Sequence, residues 1–320
     1  MMKWYTRDLC RWLTTCLQLH VVRVSDLLSS PFLVVGGDGL VGRAIADYLV
    51  WAGCSVFVTS RRNDQSSAKC IALDLAKCAA FTFQPSTVLL CASITNIALV
   101  EKARDDARKI NVDAITGLAR NLHANGSHII YISSVGVFGD SSELMNTATQ
   151  PFPANVYGQQ KVDAERELLS LGARVAVVRP TKIVSRANPM IREWMRRLRM
   201  GMEINPFSDF LFCPVPLKFL AHSLAGLALL RPSGVFHLSG QLQMSYADFA
   251  VSLACSMGVA PSLVVPKHSR EFNIPSFYPP RQPCLAMAST AGLVGVEPQT
   301  CQSVIDDLLN ELSDREFEVE

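Results

Sequence analysis

Three glycines, Gly36, Gly39 and Gly42, stand three residues apart between an apolar strand pattern and an amphipathic helix pattern. Phe32-Leu33-Val34-Val35 supplies the strand, and Leu40-Val41-Gly42-Arg43-Ala44-Ile45 the first turns of the helix. In that setting the first glycine takes the positive φ of a tight turn. The second lets backbone approach a pyrophosphate, and the third lets the helix pack closely on the strand. The amides of the helix start, around Leu40 and Val41, then face the anion with the helix dipole in support. Spaced glycines also make ordinary turns, so this motif gains its meaning from the rest of the chain.

Downstream of the glycines, strand and helix patterns alternate. Short apolar runs at 55–59, 69–73, 87–91, 128–132 and 174–178 read as strands. Helical patterns at 40–53, 97–125 and 155–171 lie between them. Apolar runs of this length separated by helices predict a parallel sheet covered on both faces. Right-handed crossovers make it an α/β fold with a doubly wound parallel Rossmann sheet, holding ligands at the carboxyl ends of the strands. Beyond Pro180 the rhythm changes. Prolines cluster at 206, 214 and 216 and again at 275, 279, 280 and 283, around helical patterns at 189–201, 217–230 and 245–257 and a strand at 234–239. The expected organisation is an N-terminal extension (1–30), a nucleotide-binding domain (31–180) and a smaller mixed α/β substrate-binding lobe (181–320). That lobe is expected to form a lid over the open edge of the sheet, and the strand at 234–239 is a candidate to rejoin it.

Composition narrows the function classes. Hydrophobic residues make up 49% and charged residues 18% of the 320, enough for a large buried core. A net charge of +2 carries neither a nucleic-acid footprint nor a polybasic membrane surface. The longest greasy stretch, 219–230, contains His222 and is too short to span a bilayer. Ten cysteines are scattered without a Cys-x-x-Cys pair, which favours buried thiols in a reducing, cytoplasmic compartment. The six histidines are isolated, so no metal site is expected. In residues 1–30, Lys3, Arg7, Arg11 and Arg23 interrupt the apolar run and make it a poor secretory signal. A surface-lying amphipathic helix is one reading of it; an extension that precedes the fold is preferred.

The chemistry-bearing residues sit at strand ends. The second strand closes with Thr59-Ser60-Arg61-Arg62 and meets no acid before Asp64, which favours NADP, with NAD as the alternative. Two arginines after a strand also make an ordinary solvated loop. Asp74, with Leu75 beside it, lies after the third strand where an adenine would rest, although a lone Asp there equally forms a turn or a cap. Tyr157-Gly158-Gln159-Gln160-Lys161 places a phenol and an ammonium four residues apart at a helix start, on one face. A phenol titrates near ~10, and a neighbouring Lys⁺ and an oxidised nicotinamide both bring that value down. This pair follows Ser134, at a strand end, by 23 residues, and a glycine turn precedes both.

Together these motifs resemble the extended short-chain dehydrogenase/reductases, most closely the dTDP-4-dehydrorhamnose reductase family. The likeness runs from about Phe32 to Leu309. Gly36-x-x-Gly39-x-x-Gly42 matches that family's cofactor loop, Ala92-Ser93-Ile94-Thr95-Asn96 its fourth-strand segment, and Asn111 its helix asparagine. Tyr131-Ile132-Ser133-Ser134, 155–161, 234–240, 245–250 and Arg281-Gln282-Pro283 match further segments. Two stretches depart from the family. Val135-Gly136 replaces an Asp-Tyr, and Arg179-Pro180-Thr181-Lys182 replaces an Arg-Thr-Ser-Trp. Both fall beside the expected sugar pocket and put the sugar itself in question.

The resemblance implies reduction of a keto group on a nucleotide-activated sugar. Tyr157 would act as proton donor, Ser134 as the carbonyl's hydrogen-bond partner, and Lys161 as the holder of the nicotinamide ribose. Ser133 is expected to point to the opposite face of its strand. Arg192 and Arg196, on a basic helix carrying four arginines, are candidates for the substrate diphosphate, and Asn188 is a further candidate before that helix. Dimers through the long helices are common in the superfamily this chain resembles, which makes a homodimer a candidate assembly. Two alternatives share the fold: a nucleotide-sugar epimerase or dehydratase, and a non-catalytic NADP-binding regulatory subunit.

Overall fold

The computed structural model describes residues 30–61, 69–77, 81–272 and 280–316. The expected N-terminal extension apart from Ser30 lies outside the described residues, as do Arg62, Asp64 and the prolines at 275 and 279. In chain order the first half comprises β1 (Phe32–Val35), α1 (Leu40–Trp51), β2 (Val56–Ser60), β3 (Cys70–Ala72) and β4 (Thr87–Leu90). There follow α2 (Ile97–Lys102), α3 (Arg104–Arg108), a π-helical turn (Lys109–Ala114), α4 (Ile115–Ala124), β5 (His128–Ile132) and α5 (Val156–Leu169). The second half comprises β6 (Val175–Pro180), β7 (Lys182–Val184), α6 (Pro189–Arg199), β8 (Leu211–Phe212), β9 (Pro214–Pro216), α7 (Leu217–Leu230), β10 (Gly234–Leu238), β11 (Met244–Ser245), α8 (Tyr246–Ser256), α9 (Ala288–Val294) and α10 (Cys301–Glu316).

Seven strands form one sheet in the order β10-β6-β5-β4-β1-β2-β3, and every pairing in it is parallel. Strand order reverses between β1 and β4, so the carboxyl ends of these two strands open onto a crevice. The central strands are apolar along their middles because both faces are covered. Phe32, Val34, Leu89, Ile130 and Val178 pack against α1 and α7. Leu33, Val35, Val88, Leu90, Ile129, Tyr131 and Val177 face the other way, against α4 and α5. Strand alternation thus converts four consecutive apolar residues into two separate cores.

The second half does more than form a lid. Helix α7 is apolar around most of its circumference because it lies on the sheet, packed against α1, and β10 extends the sheet beside β6. Helices α6, α8 and α10 build a core of their own from Ile191, Trp194, Leu198, Phe249, Leu253, Val304, Ile305 and Leu308.

The helical stretch expected at 97–125 is broken. Ala103 leaves helical geometry at φ −127, ψ 58, and residues 109–114 widen into a π turn. No Pro or Gly marks the break at Ala103, so residue pattern alone carried no signal for it.

Candidate active site

The turn after β1 is built as its glycines require. Gly36 sits at φ +92, and a Cβ on it would lie 2.8 Å from the backbone of Ala92 after β4. A Cβ on Gly42 would lie 2.1 Å from the Gly36 carbonyl oxygen, so only glycine lets α1 approach the turn this closely. The Gly36 amide donates to the Thr59 hydroxyl (3.0 Å) and the Gly37 amide to the Thr59 carbonyl (2.9 Å), tying the turn to β2. Gly39 caps α1 with no side chain accepting from its first turn. The N–H groups at Leu40 and Val41 are therefore left for a ligand. A cradle of backbone that any Cβ would fill, ending on an uncapped helix start, fits the pyrophosphate of a dinucleotide.

At the end of β2, Ser60 is buried and Arg61 is exposed. An acid meets them there after all. Asp38, from the glycine turn, accepts from the Ser60 hydroxyl (2.7 Å) and the Arg61 amide (3.3 Å). Asp74 accepts from the Ala76 amide (3.1 Å) and caps the short 3-10 turn at Leu75–Lys77, the local role its residue type allows. It also borders a cavity of about 280 Å3 lined by Ile71, Leu73 and Phe83.

Asn111 explains the π turn. Its side chain accepts from the Ser93 hydroxyl (3.0 Å) and the Ile94 amide (2.7 Å), and donates to the Ile94 carbonyl (3.1 Å) and to Gln160 Oε1 (2.9 Å). One buried amide thereby ties the segment after β4 to helix α5, at a single widened turn of the kind often found at functional sites.

Helix α5 starts where Asn155 caps it, accepting from the Gly158 amide (2.8 Å), and it carries both Tyr157 and Lys161 inward. Ser134 follows β5, and its hydroxyl accepts from the Gly136 amide (3.0 Å). The Tyr157 ring stands beside it: a Cβ on Gly136 would meet Ser134 Oγ at 3.4 Å and the Tyr157 ring at 3.7 Å. Burial pushes the phenol up to about 12, opposed by Ser134. The Lys161 ammonium donates to the Ile132 carbonyl (2.9 Å) and lies 4.7 Å from the centre of the Tyr131 ring and 5.8 Å from that of Tyr157. Burial pulls it down to about 8, opposed by the nearby Glu165 carboxylate. Ser133 points away, as expected, and donates to Glu165. Glu165 in turn holds Arg179 through paired contacts, at 3.0 Å from Nε to Oε1 and 2.5 Å from Nη2 to Oε2. Spacing alone could have revealed Glu165, which stands four residues past Lys161; Asp38 had no such signal.

The remaining candidates lie apart. Asn188 caps α6, accepting from the Met190 amide (3.0 Å). Arg192 and Arg196 are exposed on that helix, and Arg196 pairs with Glu193 (2.7 Å). With Arg186 and Arg199 they line a cavity of about 390 Å3 that includes none of Ser134, Tyr157 or Lys161.

A glycine turn at a topological switch point, with serine, tyrosine and lysine converging beside it, defines an extended short-chain dehydrogenase/reductase. Comparison with known proteins narrows this further. The RmlD substrate binding domain model matches residues 31–314, and the chain belongs to that family. Among curated relatives, the dTDP-4-dehydrorhamnose reductase of Aggregatibacter actinomycetemcomitans is 23% identical over 288 residues, covering 86% of this chain and 97% of the relative. The methionine adenosyltransferase 2 subunit beta of Bos taurus is 27% identical over 255 residues, covering 73% of this chain and 74% of that one. Among solved structures, the dTDP-4-dehydrorhamnose reductase of Bacillus anthracis, in complex with NADP, superposes with a TM-score of 0.76 at 19% identity, covering 88% of this chain and 98% of that one.

Proposed function

We propose that this protein is an NAD(P)H-dependent reductase of a keto group on a nucleotide-activated sugar. The observation that carries the reading is the convergence of Tyr157, Ser134 and Lys161 beside a turn that only glycine can build. Gly36, Gly39, Leu40, Val41 and Gly42 would hold the pyrophosphate, Ser60, Arg61 and Arg62 the adenosine ribose, and Asp74, Leu75, Ala92, Ser93 and Asn111 the walls around the base and nicotinamide. When bound, the nicotinamide supplies the hydride.

The chain's own residues do the rest. Tyr157, kept protonated by burial, gives its proton to the carbonyl oxygen as negative charge develops on it. Ser134 hydrogen-bonds that oxygen and keeps it within reach of the phenol. Lys161 steadies the phenolate charge left behind. Arg192 and Arg196, with Asn188 holding the start of their helix, would bind the substrate diphosphate, and residues 181–320 would supply that side of the site. NADP-bound and sugar-reducing relatives support the assignment at family level. Purified protein is expected to oxidise NADPH or NADH in step with loss of a 4-keto nucleotide sugar. Sugar conversion without net cofactor oxidation would instead favour an epimerase or dehydratase.

A second reading is favoured by the likeness to a subunit of methionine adenosyltransferase 2. In it, the chain binds NADP and regulates a partner enzyme without turnover. Tight cofactor binding with no oxidation across a substrate panel would select this reading.

A further inference from the structure

The carboxylate at the end of β2 comes from the glycine turn and not from the strand. Asp38 stands between Gly37 and Gly39, and its Oδ2 accepts from the Ser60 hydroxyl and the Arg61 amide at 2.7 and 3.3 Å. Its Oδ1 takes no partner among the described residues, and the residue is exposed. The turn beneath it is held close to β2. A Cβ on Gly37 would lie 2.7 Å from the Val58 side chain, and the Gly37 amide donates to the Thr59 carbonyl at 2.9 Å. Asp38 is therefore fixed beside the last residues of β2, the place that meets the adenosine ribose in this fold. A carboxylate there accepts from a 2′-hydroxyl and repels a 2′-phosphate. The Arg61 guanidinium, one residue further on, has the opposite effect.

We propose that Asp38 sets the chain's choice between NAD(H) and NADP(H), its free oxygen accepting the ribose 2′-hydroxyl while its charge opposes the 2′-phosphate that Arg61 attracts. The proposal rests on the dinucleotide reading given above. It makes Asp38 the specificity-determining residue of the ribose site, arriving from a segment distant in sequence from the one that carries Arg61.

The test is separate titration of NADPH and NADH, followed by calorimetry, onto the wild type and Asp38→Asn. Asp38→Asn removes the charge and keeps an acceptor, and should shift the affinity ratio toward NADPH by on the order of tenfold. The shift should shrink as salt is added, since the site is exposed. An unchanged ratio in Asp38→Asn, or equal weakening of both cofactors, overturns the proposal while leaving the dinucleotide reading intact. Failure of the wild type to bind either cofactor overturns both.

Discussion

A Cβ on Gly158 would stand 2.1 Å from the carbonyl oxygen of Gly136. This contact docks the first turn of the helix that carries Tyr157 onto the turn that follows Ser134, and so sets the spacing between the two side chains. Gly158→Ala must push the two apart. It is expected to cost about 1–3 kcal/mol of stability as overpacking, and turnover should fall further than stability explains. Gly136→Ala is the contrast. Its Cβ would meet Ser134 Oγ at 3.4 Å and the Tyr157 ring at 3.7 Å, ordinary contacts, so thermal stability should be nearly unchanged. Thermal melts and steady-state rates of the two variants separate the effects.

Lys161 gives two pH dependences of opposite sign. Its folded pKa is lowered from 10.5 to about 8. Between those values the unfolded chain holds a proton that the folded chain has released, so raising the pH favours folding. In the proposed mechanism the ammonium steadies the phenolate; it is lost over the same window, so the reduction rate should fall. Melting temperatures and rates from pH 7 to pH 10.5, for wild type and Lys161→Met, check both. The variant should lack the wild type's stability gain.

Glu165 stands one helical turn past Lys161, and its carboxylate opposes the fall in the Lys161 pKa. Both it and Arg179 are 3% exposed at their side chains, so the pair is shut from solvent. Glu165→Gln leaves the guanidinium without its counter-charge and should destabilise by about 3–5 kcal/mol. A purely structural role would stop there. Because the carboxylate also raises the Lys161 pKa, the alkaline fall in rate should begin at lower pH in Glu165→Gln than in wild type.

Arg192 takes no ion-pair partner among the described residues, whereas Arg196 is already matched by Glu193. Arg192→Ala should therefore raise KM for the nucleotide sugar with little change in kcat or in cofactor affinity. An unchanged KM would remove the cavity at residues 186–200 from the substrate site.

The juxtaposition of Ser134, Tyr157 and Lys161 was legible because it depends on local patterns: a glycine period, a strand end at Ser134, and a four-residue spacing on one helix. Helix α7 was legible in its bounds, but its position against α1 was not, since an apolar helix reads alike on a sheet face and in a separate lobe. Asp38 and the π turn were hidden for a different reason. Asp38 gains its meaning from Ser60, 22 residues away across a fold-back, and the widened turn from the contacts of one side chain, Asn111.

In the proposed mechanism Tyr157 gives its proton as hydride reaches a substrate carbon. The most direct test uses NADPH or NADH carrying deuterium at the transferable position, with mass spectrometry of the sugar product from wild type and Tyr157→Phe. One deuterium is expected in the wild-type product, and a rate lower by at least about a hundredfold in a variant that still folds. Product without deuterium, or equal rates from the two proteins, would contradict it.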